Sequence, residues 1–333
     1  MMNGNKNKAL DIAKLAEGIL AADRVMLAKG ITLVESQLEE DQLRADDLVE
    51  KLLPSRVHSV RVGITGVPGV GKSTFIEVFG KHLTSLHKRV AVLAVDPSSQ
   101  KTKGSILGDK TRMDELSKDP LAFVRPSPAN GFLGGITNST RDAILLCEAA
   151  GFDVIIVETV GVGQSEIAVH EMTDFFLLLM LAGAGDELQG IKKGIMEMAD
   201  GIVITKADGE NVKSAYKAQA DYQHALHLFG TSKSGWTPKV LTASALKKEG
   251  INEIWSMIQK FASDGKANGF FDNHRIEQDV IALHKNLEGS LKMYFTNKSR
   301  ELLLSFENKI KAKQLSPRQA ARIMLENILD MKK

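Results

Sequence analysis

Cysteine is almost absent from this 333-residue chain: Cys147 is the only one. A single thiol closes no internal disulfide and supplies no multi-cysteine zinc or iron–sulfur site. Aromatic residues are few, at 5%, and no charge sign dominates, since 43 basic residues face 41 acidic ones. With no basic block, nothing in the composition points to nucleic acid or to a membrane surface. Long apolar runs are missing too. The most apolar stretch, 175–181, falls far short of the ~20 residues needed to cross a bilayer. Residues 1–10 are polar, contain no Arg and are soon followed by Asp11 and Glu17, unlike a signal or transit peptide. The expected compartment is the cytoplasm.

What the chain does have is periodicity, in three textures. From 11 to 53, Leu15, Ile19, Val25, Met26, Ile31, Val34 and Leu38 recur at three- and four-residue steps, a helical pattern that stops at Leu53-Pro54. From 57 to 262, short β-rich runs at 60–65, 89–95, 122–125, 153–158, 175–181, 201–205 and 239–242 alternate with helical stretches such as 73–86 and 141–150. Several runs are apolar nearly throughout, as parallel strands covered on both faces must be. The fold class read from this is α/β, a doubly wound, mainly parallel seven-stranded sheet with its ligand at the C-terminal ends of the strands. After Asp264-Gly265 the chain is helical again. Ile276, Val280, Leu283, Leu287 and Leu291 line one helix, and Ser316-Pro317 reads as an N-cap followed by a first-turn proline. The organisation expected is a helical extension (1–55), a nucleotide-binding domain (56–262) and a helical arm (263–333). So small an arm has little core of its own and should pack on something, either its own domain or a second subunit.

Gly66-Val67-Pro68-Gly69-Val70-Gly71-Lys72-Ser73 satisfies G-x-x-x-x-G-K-[ST] at every fixed position, between a strand and an amphipathic helix. The glycines let successive N–H groups and the helix N-terminus face a phosphate. Lys72 supplies a point charge at the β- and γ-phosphates, and the Ser73 hydroxyl is placed to ligate Mg²⁺. Three carboxylates lie where a phosphate-bound metal or its water would need them. Glu158 ends the apolar run 154–157, Asp96 ends the run 90–95, and Asp109 sits in the polar loop Gly108-Asp109-Lys110-Thr111-Arg112-Met113. Gly161 would let the backbone of the loop 160–166 approach the γ-phosphate.

Thr205-Lys206-Ala207-Asp208 follows the run 201–204 as Asn-Lys-x-Asp follows a strand in guanine readers. Asp208 would accept from the ring N–H and exocyclic amine of guanine, and adenine would leave it unpaired. The stem of Lys206 can lie along the base. Ser244-Ala245 fits the contact to the guanine carbonyl. Thr205 stands where Asn usually ties this loop to the phosphate loop, and it has no amide with which to do so fully.

With these residues in hand, the chain resembles the methylmalonyl-CoA mutase-associated GTPases, bacterial counterparts of the human methylmalonic aciduria type A protein. The matching strings are Gly63-Ile64-Thr65 running through the phosphate loop to Thr74, Val95-Asp96-Pro97-Ser98-Ser99, and Gly104-Ser105-Ile106-Leu107 running to Met113. Glu158-Thr159-Val160-Gly161-Val162-Gly163-Gln164-Ser165-Glu166, the stretch 182–194 and Ile31-Thr32-Leu33-Val34-Glu35-Ser36 also match. The resemblance spans roughly residues 10–265. It implies a P-loop GTPase of the signal-recognition/MinD/BioD-like class, with Glu158 in place of the usual Asp. It further implies binding of GTP or GDP with Mg²⁺, and catalytic or metal roles for Lys72, Ser73, Asp96, Asp109 and Glu158. The implied partner is a cobalamin-dependent acyl-CoA mutase, whose adenosylcobalamin loading, protection or reactivation GTP would gate. The arm would make a homodimer, and the loop 183–193 would be a further nucleotide-responsive switch.

Two other functions compete. A nickel-delivery GTPase needs a Cys/His cluster, whereas Cys147 stands alone in an apolar helix, and His224 and His227 lack a partner cysteine. A kinase of transport proteins needs a base for the substrate hydroxyl, which the sequence does not offer. Arg112 and Arg141 are the candidates for a charge-stabilising arginine. Intrinsic turnover is expected to be slow.

Overall fold

The computed structural model describes residues 11–55, 59–95, 113–126, 133–159, 165–183, 193–226, 234–298 and 300–330. All seven expected strands form: β1 (Val60–Gly66), β2 (Val90–Val95), β3 (Ala122–Arg125), β4 (Val154–Thr159), β5 (Phe175–Leu181), β6 (Gly201–Thr205) and β7 (Lys239–Thr242). Every pairing is parallel, in the order β3-β2-β4-β1-β5-β6-β7. Arg89 and Asp153 fall just outside their strands and bond each other. The Arg89 N–H donates to the Asp153 carboxylate at 2.8 Å, and the Asp153 N–H to the Arg89 carbonyl at 2.9 Å. In an all-parallel sheet every strand ends on the same edge. The C-terminal ends of β1, β4, β6 and β7 are thus brought together from four parts of the sequence.

Helices cover both faces. On one lie α4 (Lys72–Ser85) and α10 (Ile251–Ala267), which bury Phe75, Phe79, Ile254 and Ile258 against Val62, Ile64 and Val203. On the other, α6 (Leu133–Ala149) is covered in turn by α1 (Ile12–Leu20), α2 (Arg24–Val34) and α3 (Glu39–Leu52). Full burial of each Leu, Ile or Phe contributes about 1.5–3 kcal/mol. The first helical region is three helices: Asp11 and Asp23 cap the first two, and the third starts after Leu38 without a side-chain cap. The two capping carboxylates accept from Ala13 N at 3.0 Å and Val25 N at 2.7 Å. The break turns Val25 and Leu38 outward, 62% and 68% exposed, so they leave the apolar stripe that their spacing suggested. The remaining helices beside the sheet are α5 (Asp114–Ser117), α7 (Ser165–His170), α8 (Lys193–Met198) and α9 (Val212–Leu226).

The chain divides into two compact units, the second beginning at Asp279. That division falls within α11 (Phe270–Lys298), which is followed by α12 (Arg300–Lys311) and α13 (Pro317–Asp330). In the second unit α12 and α13 pack together and bury Phe306 and Ala320. The Ser316 hydroxyl caps α13 by accepting from Gln319 N at 3.2 Å. Along α11, Ile276, Val280, Leu283, Leu287 and Leu291 are all exposed. No described helix is long and apolar enough to cross a membrane.

Candidate functional site

The phosphate loop leaves β1 at Gly66 and enters α4 at Lys72. Its glycines are required by geometry. Gly69 and Gly71 have φ of 77° and 90°, and a Cβ on Gly66 would lie 2.5 Å from the Leu179 carbonyl oxygen. Val70 is buried beneath the loop and anchors it to the core, while Pro68 is exposed. No side chain caps α4, so its first N–H groups are left for an anion. Ser73 and Thr74 stand in that first turn.

The Lys72 ammonium donates to the Gly66 carbonyl at 3.0 Å. Burial pushes its pKa down, and Glu158 and Glu166, which pull it up, do not make good the loss. A half-buried ammonium whose partners under-compensate its lost hydration is suited to a polyanion. Glu158 is 5% exposed near the end of β4, in register with Ile64 of β1 and Ala94 of β2. Beside it the Thr159 hydroxyl donates to that of Thr65 at 2.9 Å, stapling β4 to β1 under the loop. Glu166, 5% exposed in the first turn of α7, joins the site as a second carboxylate near Lys72. The donor set fits Mg²⁺, a hard cation that takes one or two carboxylates, a hydroxyl and phosphate oxygens. Asp96, Asp109, Gly161 and Arg112 lie outside the described residues. Arg141 donates to the Glu171 carbonyl at 2.6 Å.

The second loop locks onto the first. Thr205, the last residue of β6, shares its one hydroxyl proton between the Val70 carbonyl at 2.8 Å and the Met180 carbonyl at 3.2 Å. The missing amide therefore does not leave the loops untied, since a hydroxyl on a shorter stem reaches the phosphate loop. Lys206, with φ of 55°, turns its stem across that loop, and its Nζ donates to the Gly69 carbonyl at 2.8 Å. Asn211 holds the turn by donating to the Lys206 carbonyl at 2.8 Å. The buried Ser244 hydroxyl donates to the Asp208 carboxylate and accepts from Lys247 N at 3.0 Å. Ala207 N donates to the Ala243 carbonyl at 3.1 Å, which seats the β6 loop on the β7 loop. Ala245, half-buried, follows in the same turn. That turn closes at Gly250 (φ 77°), where a Cβ would lie 2.2 Å from the Thr242 oxygen.

Other candidates lie elsewhere. Cys147 is fully buried between α6 and the first helices, and burial pushes its thiol far above its ordinary range. His224 is exposed on α9, and His227 lies outside the described residues. Among the described residues no group of three or more His, Cys, Asp or Glu is arranged to hold a metal on its own.

The edge where the strands begin holds a cluster that pattern reading missed. Arg61 grips Glu148 with Nε and Nη2 at 2.8 and 2.9 Å, and Ser59 Oγ adds a bond at 2.8 Å. Arg275, from the start of α11, donates to both oxygens of Asp174 at 2.8 and 2.7 Å and to the Ser59 carbonyl at 2.7 Å. Burial raises the Glu148 pKa, but Arg61, Arg275 and Ser59 outweigh it and hold the carboxyl down to about 2. The available signal was a lone charge inside an apolar run, Arg61 in β1 and Glu148 after Leu145, Leu146 and Cys147.

Comparisons with known proteins agree with this geometry. A family model described as methylmalonyl Co-A mutase-associated GTPase MeaB matches residues 27–299. The GTPase ArgK of Escherichia coli (strain K12) is 47% identical over 325 residues, covering 95% of this chain and 97% of that protein. The mitochondrial methylmalonic aciduria type A homolog of Mus musculus is 44% identical over 327 residues, covering 95% of this chain and 79% of that one. A crystal structure described as LAO/AO transport system kinase is 38% identical with a TM-score of 0.76, covering 96% of this chain and 97% of its own. A sheet whose first strand feeds a phosphate loop, interlocked with a Thr-Lys-Ala-Asp loop, thus sits in a chain matched nearly end to end. The chain belongs to the methylmalonyl-CoA mutase-associated GTPase MeaB family.

Proposed function

We propose that the protein binds Mg-GTP, hydrolyses it to GDP and phosphate, and uses the two states to control a cobalamin-dependent acyl-CoA mutase of the methylmalonyl-CoA type. The observation that carries this reading is the interlock of Thr205 and Lys206 with the carbonyls of Val70 and Gly69, which makes base and phosphate loops one unit. Ser73 and carboxylates among Glu158, Asp96 and Asp109 would hold a magnesium ion, which would supply charge neutralisation at the phosphates. Lys72 and the backbone N–H groups from Gly66 to Thr74 bind and orient the phosphate chain, with Gly161 against the γ-phosphate. Asp208, held by Ser244, accepts from guanine, the Lys206 stem covers one face of the base, and Ala245 offers its N–H to the carbonyl. No side chain stands out as general base, so hydrolysis rests on positioning and charge, and slow turnover quickened by a partner is the expectation.

The family's mutase link and the 44% identity to a methylmalonic aciduria type A homolog support a chaperone role, gating adenosylcobalamin loading and protecting or reactivating the mutase. The apolar stripe of α11 supports a homodimer, and the cytoplasm is the proposed setting. Nickel delivery has less support, because Cys147 is sealed in the core. The test combines purified protein with a mutase, adenosylcobalamin and either GTP or GDP. Loading or inactivation rates should differ between the nucleotides, and identical rates would sink the chaperone reading. Failure to prefer GTP over ATP in equilibrium binding would sink the guanine assignment.

A further inference from the structure

Helix α7 joins two places that the proposed function does not connect. Its first turn carries Glu166, whose charge acts on Lys72. Its last turn and the residues just after it lie on β1 at Gly63, three residues before the phosphate loop. A Cβ there would fall 2.8 Å from Val169 Cγ1 and 2.7 Å from Thr173 Oγ1, so helix and strand are in close contact. Its far end is held by the root of α11. Gln278, 1% exposed, donates Nε2 to the Thr173 carbonyl at 2.8 Å and lies 3.4 Å from the His170 carbonyl. One turn earlier, Arg275 clamps Asp174, at the end of the same short segment.

We propose that Gln278 is a positioning residue for the phosphate site, acting through α7, and that the root of α11 thereby reads the nucleotide state. This rests on the guanine-nucleotide reading above. A helix of six residues has no stability of its own, so its position is set by its packing on β1 and by what holds its two ends. One end follows the loop expected to face the γ-phosphate. The other is fixed by Gln278 and by Arg141, which donates to the Glu171 carbonyl at 2.6 Å. A shift of α7 on loss of the γ-phosphate must either drag the root of α11 or break the Gln278 bond. The amide is committed to this contact. Its Oε1 is buried with no partner among the described residues, and its Nε2 also lies 3.0 Å from His274 Nε2. Coupling between two sites is reciprocal, so whatever holds α11 must also alter the preference for GTP over GDP.

The test uses the full chain with Mg²⁺ and either GDP or a non-hydrolysable GTP analogue. Amide exchange in 270–278 should differ between the two complexes of the wild-type protein. Gln278→Met keeps the length and removes the donor. It should change the ratio of analogue to GDP affinity by about fivefold or more, the lower end of ordinary coupling. It should also lower kcat more than it raises KM for GTP. A fall in Tm with an unchanged affinity ratio would make Gln278 a merely structural residue and overturn the proposal. If the variant does not fold, the wild-type exchange decides, and equal exchange in both complexes overturns it. Absence of any guanine-nucleotide binding by the wild-type chain would instead remove the functional reading, and the coupling with it.

Discussion

The two edges of the sheet treat charge in opposite ways. Where the strands begin, charged groups bind each other: Arg61 and Arg275 spend their guanidinium N–H groups on Glu148, Asp174 and the Ser59 carbonyl. Partners outweigh burial there, and the Glu148 carboxyl is held at about 2. Where the strands end, Lys72 and Lys206 donate to main-chain carbonyls of the phosphate loop. Burial prevails over Glu158 and Glu166 at Lys72, whose pKa falls. An edge whose charges satisfy one another holds the fold together. An edge where an ammonium with three donors stays under-compensated is prepared for an anion that arrives later.

The difference can be broken from either side, most forcefully at the closed edge. Arg61→Met leaves Glu148 buried without its main partner, and should cost about 3–5 kcal/mol in urea unfolding while nucleotide affinity at a permissive temperature changes little. Acid probes the same edge without mutation. The Glu148 pKa lies below its ordinary 4.5, so its contribution is complete above 4.5 and is lost as pH falls from there towards about 2. Unfolding midpoints measured down that range should fall in the wild-type protein, and the slope should flatten in Glu148→Gln.

At the open edge the signs reverse. Lys72→Ala should leave Tm unchanged or raised, since it removes a desolvated charge, while GTP hydrolysis falls by about 100-fold or more. Asp208→Asn replaces an ionised acceptor by an amide, and should weaken GTP binding by about 10- to 100-fold, the worth of a charge-assisted hydrogen bond. ATP binding, measured alongside, should not weaken in step. The smallest effect belongs to Thr205→Val. It removes the donor to the Val70 carbonyl and should cost about 1 kcal/mol of stability, with a nucleotide affinity loss of the same order. An affinity loss far larger than the stability loss would show that the interlock matters more to the site than to the fold.

Much of the open edge was legible because its chemistry is local. A phosphate loop needs its glycines and lysine at fixed spacing on one turn, and Gly66, Gly69 and Gly71 each carry a steric reason that survives in the sequence. Strands 122–125, 175–181, 201–205 and 239–242 also coincide with their expected bounds, and 175–181 and 201–205 are the runs buried nearly throughout. The closed edge was not legible. Arg61, Glu148, Asp174 and Arg275 are scattered over more than 200 residues, and nothing in the spacing of one predicts another. The tie that Thr205 makes was not legible for a related reason. The reach of a hydroxyl to the Val70 carbonyl depends on how two strands stand side by side.

The sequence by itself determined the class of fold, the place of the glycine-rich loop between β1 and α4, and the family, since periodicity and short motifs are properties of neighbouring residues. Tertiary structure alone decided which charges neutralise one another, that Glu166 acts on Lys72, and that Gln278 reaches the far end of α7. Those facts depend on strand order and helix placement, which bring distant residues within 3 Å, and no local pattern encodes such a distance.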